Sequence, residues 1–350
     1  MTAIPPTATP PSPGFAYDPA KTLDPRTRRM LEAPIVATLL RLAAPNVVLM
    51  VVQASVGLVE IYFIGFLGTD ALAGASLVFP VLMLMQTMSA GGMGGGISSA
   101  IARAIGGGRH ADADALATHA LVIALAFGLA FTVLLLSGGR WLYTAMGGTG
   151  ASLDAALLYS NITFAGAVLV WLFNSLSSVI RGTGNMATPA TVSCIGAVIV
   201  IPLSPLLIFG WGPFPALGIA GGAIAVVAYY AAGSLALAVH LRSPRCIVRL
   251  AVRGVRLQWA LFRQILQVGA FGVLITFQTN LTIVVATAFV GGFGPAAIAG
   301  YGVGSRLEYL LIPLVFGLGA PLVAMVGTCV GAGQRDRALR IAWIGAGFAF

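Results

Sequence analysis

"FIGFLGTDALAGAS" (63–76) returns as "FVGGFGPAAIAGYG" (289–302), an offset of 226 residues. A second pair, "AIGGGRHADA" (104–113) and "CVGAGQRDRA" (329–338), keeps an offset of 225. Each copy reads as an apolar span, a short turn, a second apolar span, and then a Gly-rich turn with basic residues. An even number of spans separates the copies, so both run the same way through whatever they cross. That is a parallel repeat, an arrangement used by helical membrane proteins.

The sequence around the repeat is apolar in runs of the length that crosses a bilayer as helix. Eight spans are read, at roughly 36–64, 72–102, 115–137, 155–180, 188–209, 217–241, 264–292 and 297–327, with a ninth starting near Ile341. The 350 residues are 58% hydrophobic and 8% charged. A soluble surface needs about 25% charged residues, so the chain belongs in a membrane. Period-two alternation is absent, which excludes a β-barrel. The 45 glycines suit close helix packing in lipid.

The predicted fold class is therefore an all-α integral membrane protein, with about eight transmembrane helices and a partial ninth. Residues 1–33, Pro-rich and polar, read as a disordered tail, and 34–241 as a six-helix N-terminal lobe. Residues 242–263 read as a basic linker, and 264–350 as an incomplete second lobe. Carried forward from a lobe end at 241, the repeat leaves the second lobe about four spans short at Phe350, so the chain reads as C-terminally truncated.

The formal net charge of +9 would suggest nucleic acid in a soluble protein. Here the basic residues sit in loops between spans, and no nucleic-acid partner is expected. All 19 except Arg140 and Arg306 fall on the side of the N-terminus. Cytoplasmic loops carry such an excess, so the N-terminus is expected in the cytoplasm. Cys194, Cys246 and Cys329 lack metal-ligand spacing and read as free thiols. No nucleophile–base pair or metal cluster points to an enzyme.

Glu60 interrupts the apolar run that begins near Val47. A charge at mid-membrane is costly, and such residues usually face a cavity and carry function. Desolvation favours a neutral acid, which can take a proton on one side and release it on the other. Glu60 lies eight residues before the turn at Gly68, about 12 Å along a helix. A purely structural bond to a neighbouring helix stays open as the alternative. Its repeat partner is Ala286, so the second lobe does not duplicate the acid. Pro45 removes a backbone hydrogen bond and reads either as a hinge or as a tolerated membrane proline.

Gln53, Asn174, Gln278 and Asn280 are candidates for lining a substrate cavity, with interhelical hydrogen bonding as the alternative; Glu308 is another, with pairing to an arginine as its alternative, and Tyr62 and Ser204 complete the candidate lining. "GGMGGG" (91–96) lies in an apolar span with no preceding strand, and reads as helix flexibility or close packing rather than a phosphate loop. His110 and His119 read as solvated. Met83, Met85 and Met88 read as packing.

Several stretches resemble the multidrug and toxic compound extrusion (MATE) family, its proton-coupled bacterial branch in particular. "LAAPNVV" (42–48) followed by "VEIYFIGFLGTDALAG" (59–74) is similar to the family's first span. "IRGTGNMATPA" (180–190) resembles its fourth-to-fifth turn, "PLLIFGWGPFPALGIAGGAIA" (205–225) its fifth and sixth spans, and "VGTCVGAGQRDRAL" (326–339) the turn after its eighth. The resemblance implies twelve spans in two six-helix lobes around a central cavity. It implies export of small cationic, amphipathic organic compounds by alternating access, driven by antiport of protons or sodium, with no other cofactor. In the proton-coupled branch the first span bends at its proline when an acid is protonated, and Pro45 and Glu60 resemble that pair. The sequence departs from the branch where an Asn, an Asp and a Thr are expected. Val200, Ser204 and Val226 stand there, and Gln278 stands where other branches have an acid.

The expectation is thus a multi-pass efflux antiporter of a bacterial-type inner membrane, a monomer in the lipid bilayer. Two alternatives are a flippase for lipid-linked oligosaccharide or peptidoglycan precursors, and a non-functional truncated fragment. One embedded arginine against two embedded acids favours cations over a lipid pyrophosphate.

Overall fold

The computed structural model describes residues 24–210, 215–243, 246–250, 257–308 and 317–349. Every regular element among them is helical. In chain order these are α1 (Pro25–Glu32), α2 (Ile35–Gly65), α3 (Thr69–Gln86), a π-helical segment (Thr87–Met93), α4 (Gly94–Gly106) and α5 (His110–Ala145). Then come α6 (Gly150–Ala165), α7 (Ala167–Gly182), α8 (Ala187–Phe209), α9 (Ile219–Arg242), α10 (Trp259–Gly291), α11 (Pro295–Glu308), α12 (Gly319–Gly331) and α13 (Arg335–Ala349).

Six helical stretches are long and apolar enough to cross a bilayer. The pair α6–α7, bent by 49° at Gly166, makes a seventh. These match the first seven expected spans. The eighth, 297–327, corresponds to α11 and α12, with 309–316 between them outside the described residues. The second is less regular than expected. It runs α3, π-segment, α4, because "TMSAGGM" (87–93) takes the wider π turn.

Helix ends carry the repeat into three dimensions. Gly65 and Gly291 end α2 and α10, while Thr69 and Pro295 begin α3 and α11. Gly68 and Gly294 take φ of 107° and 93° in the two turns, a region L side chains avoid. The turn bonds also match. Gly68 N donates to Gly65 O and Gly294 N to Gly291 O, while Arg109 N donates to Ala104 O and Gln334 N to Cys329 O.

The two copies meet along α3–α11 and α4–α12. A Cβ on Gly302 would strike Ser76, its own repeat equivalent, and one on Gly327 would strike Ala102, again its equivalent. Gly106 abuts Thr328 and Gly331 abuts Arg103, a reciprocal exchange. Residues that meet their own equivalents, or trade partners, mark a two-fold axis. That axis runs between α3–α4 and α11–α12.

Within the first half, α2 packs on α8, α8 on α9, α3 on α6, and α5 on α7. α10 lies along the π-segment and α4. A Cβ on Gly92 would sit 2.5 Å from Val273 N, and one on Gly96 2.5 Å from Ile265 O. Gly92 and Gly96 thus serve close approach, whereas a Cβ on Gly95 would meet nothing within 4 Å.

Three expectations are corrected. The tail does not stay irregular to residue 33. Asp24 accepts from Arg26 N at 2.9 Å, Pro25 starts the helix, and α1 follows with Thr27, Met30 and Leu31 buried. Residues 1–23 lie outside the described residues. The linker ends earlier than 263, since α10 begins at Trp259. It is also tied to the bundle, because Arg249 N donates to Asp114 Oδ1 at 2.7 Å. His119 is buried rather than solvated. Its Nδ1 lies 2.7 Å from Ala115 O, and its Nε2 accepts from Gln258 N at 2.9 Å.

Candidate functional site

Four helices of the first half each turn one stripe inward. On α2 the stripe is Gln53, Val56, Gly57 and Glu60. On α3 it is Phe79, Leu82, Met83 and Gln86. On α8 it is Ala197, Val200, Ile201 and Ser204. All three follow i, i+3, i+4, i+7, the spacing of one helix face. α9 adds Val226, Tyr229 and Tyr230, and α6 adds Tyr159. Between them lie a cavity of about 110 Å³ and, beside it, a small apolar niche of about 10 Å³ lined by Val59, Val200, Ile201, Ser204, Ala225 and Val226.

Glu60 borders both spaces and is 9% exposed. Tyr159 Oη donates to its Oε1 at 2.6 Å. α9 faces it at Gly222, where a Cβ would lie 3.4 Å from Glu60 Oε1, in ordinary contact. Ser204, 4% exposed, faces the same niche, and its hydroxyl has no hydrogen-bond partner among the described residues. The three residues that replace the branch's polar set, Val200, Ser204 and Val226, therefore do surround Glu60.

Behind the cavity a polar cluster holds the π-segment. Gln86 Nε2 donates to Tyr230 Oη. Asn174 Nδ2 reaches Gln86 Oε1 at 3.1 Å and Ser89 Oγ at 2.7 Å. From the other side, Asn280 Nδ2 donates to Thr87 Oγ1 at 2.9 Å. π-turns recur at functional sites, and here amides from α7 and α10 clamp one.

Of the residues singled out by sequence, Glu60 and Gln53 share the cavity and Ser204 lines the niche. Asn174 stands one hydrogen bond behind the lining. Asn280 is buried between α10 and the π-segment, away from the cavity. Tyr62 is not a lining residue. It is 63% exposed and packs on Phe63 and Phe66, because it falls two residues from Glu60 and so on another face. Gln278 lies on the exposed side of α10, accepting from Thr282 at 3.2 Å. Pro45 is within α2, fifteen residues before Glu60, about 22 Å along the helix. Glu308 ends α11, and its side chain lies outside the described residues. Sequence reasoning missed Gln86, Tyr159, Tyr229 and Tyr230. The i+7 spacing of Gln86 from Phe79 was a usable signal, whereas Tyr159 is joined to Glu60 only by the fold.

Among the described lining residues there is one acid and no basic side chain, set among Phe79, Tyr159, Tyr229, Tyr230 and Met83. Aromatic faces and a carboxylate together suit an organic cation.

A parallel-repeat bundle of apolar helices enclosing a carboxyl-bearing cavity defines a membrane transporter, not an enzyme. The chain belongs to the MatE family, whose sequence model matches residues 45–206 and 273–350. It is similar to the FAD transporter of Shewanella oneidensis, 32% identical over 316 residues, covering 88% of this chain and 68% of that one. It is 28% identical over 284 residues to the probable multidrug resistance protein YoeA of Bacillus subtilis, covering 80% of this chain and 61% of the relative. Against these relatives, then, the chain spans 61–68% of the length. The fold matches a MOP superfamily transporter from Pyrococcus furiosus with TM-score 0.82 at 25% identity, covering 94% of this chain and 72% of the other.

Proposed function

We propose that the protein is a secondary efflux transporter. It exports small cationic, amphipathic aromatic compounds in exchange for protons, and Glu60 is the exchanging carboxyl. The observation that carries this reading is a cavity in which the one acid among the described lining residues, Glu60, lies among aromatic side chains, with no basic residue among them. In the ionised state the carboxylate attracts a cation. Protonation from the outer side removes that charge, and the cation leaves. The multidrug name of the Bacillus relative supports the substrate class.

The proton is preferred to sodium because the niche beside Glu60 offers few oxygens. Besides the Tyr159 and Ser204 hydroxyls, it is walled by Val56, Val59, Val200, Ile201, Ala225 and Val226. A hard cation needs a full oxygen shell, whereas a proton needs one acceptor. Alternating access then proceeds by movement of the two repeats about their axis, with Pro45 as a hinge in α2. The basic end faces the cytoplasm, following the arginine excess there. The transporter works as a monomer in a bacterial inner membrane.

The Shewanella relative's name raises a flavin nucleotide as a second substrate class, and the aromatic lining would accept its ring. Its pyrophosphate would meet Glu60 with no basic lining residue to offset it, which favours cations.

The test is Glu60→Gln in proteoliposomes under an imposed pH gradient. Uptake of a cationic dye should be abolished with insertion intact. Dye transport at the wild-type rate would remove Glu60 from the mechanism, and selective FAD transport would replace the substrate class.

A further inference from the structure

At the basic end a set of contacts lies outside anything the cavity uses. α1 buries Thr27, Met30 and Leu31 and exposes Arg26, Arg28, Arg29 and Glu32. Met30 is 2% exposed. On the first half, a Cβ at Gly184 would lie 2.8 Å from its Cε. On the second, Thr328 Oγ1 lies 3.9 Å from its Sδ, and Cys329 Sγ lies 3.8 Å from its carbonyl oxygen. Met30, Leu31, Leu39 and Met186 form one apolar cluster with Met325, Cys329, Ala338 and Ile341. A single short helix is thus packed on both repeats.

Its C-terminus is held by α13. Arg337 Nε donates to Met30 O at 3.3 Å, and its Nη2 donates to Ala33 O. Carbonyls at a helix C-terminus lack intrahelical partners and carry partial negative charge, so a guanidinium answers both needs. The repeat equivalent of Arg337 is Asp112, which pairs with Arg109 at 3.2 Å instead. The feature therefore belongs to one copy and breaks the two-fold symmetry.

We infer that α1 is a strap that holds the basic ends of the two repeats together, fastened by Arg337. Opening that end requires Arg337 to leave the carbonyls of Met30 and Ala33, and Met30 to leave the slot between Gly184 and Thr328. The strap rests on the alternating-access reading for its role in transport, while its existence as a latch is testable without transport.

Cys329 is the reporter, because it is fully buried beneath Met30. In the full chain, with Cys194 and Cys246 replaced by Ser, a membrane-permeant maleimide should label Cys329 slowly. Arg337→Ala should speed labelling about tenfold, the effect of losing hydrogen bonds to a charged donor. Arg337→Lys, which keeps the cation but not the fork, should fall between. Met30→Ala should also speed labelling, and it serves if Arg337→Ala fails to insert. Unchanged labelling in inserted Arg337→Ala or Met30→Ala overturns the strap. Glu60→Gln run in parallel separates the two claims. Wild-type transport in that variant removes Glu60 as the exchanging carboxyl, while the labelling contrast judges the strap alone.

Discussion

Tyr159 donates to Glu60, Gly222 of α9 faces it, and Val200 and Val226 line the same niche. A single carboxyl predicts a transport–pH profile with one ionisation. Val200→Asp would set a second acid in the same niche, and the profile should then steepen to two coupled ionisations. An unchanged one-site curve, with the variant inserted, would count against Glu60 as the titrating group. Ser204 gives the opposite kind of test. Its hydroxyl is buried without a partner, so Ser204→Ala should be neutral or raise stability by about 1 kcal/mol. Transport should persist. If Ser204→Ala abolished transport instead, the hydroxyl would be an ion ligand.

Helices and turns set these side chains in place, and they differ in how far the sequence announces them. α2, α5, α8, α9 and α10 are long apolar runs with glycine turns, legible because a bilayer leaves helices as the economical way to pair their backbone groups. α1 was obscured by the Pro-rich composition before it, although Asp24 followed by Pro25 is a helix-start signature. The π-segment left only a weak sign, its glycines, since a wider turn depends on partners from α7 and α10 far along the chain. Asn280→Ala removes one of those partners and should lower thermal stability by about 1 kcal/mol. Gly92→Ala should cost more, about 1–3 kcal/mol, because its Cβ would meet Val273 backbone rather than a movable side chain. Equal melting of Gly92→Ala and wild type would mean that α10 docks less tightly than described.

The whole molecule was readable where it repeats and unreadable where it converges. Turn glycines at 68, 294, 108 and 333 must take positive φ, so they stay visible as a register between the two copies. The cavity joins residues 53, 86, 159, 197 and 230 from five helices, and no local spacing links Tyr159 to Glu60. At this scale the transport reading predicts that dissipating the proton gradient with a protonophore stops cation efflux at constant membrane potential. Efflux that continues, or that follows sodium, would reassign the driving ion.

The axis between the copies has a further meaning for the chain's history. Two identical subunits related by such an axis must place the same residue on both sides of it, so a serine would face a serine and a glycine a glycine. Here Ser76 faces Gly302 and Ala102 faces Gly327. A larger group fits because its counterpart has none. Complementary pairs of this kind are open only to copies encoded separately in one polypeptide, and each such pair makes the halves fit each other better than either would fit itself.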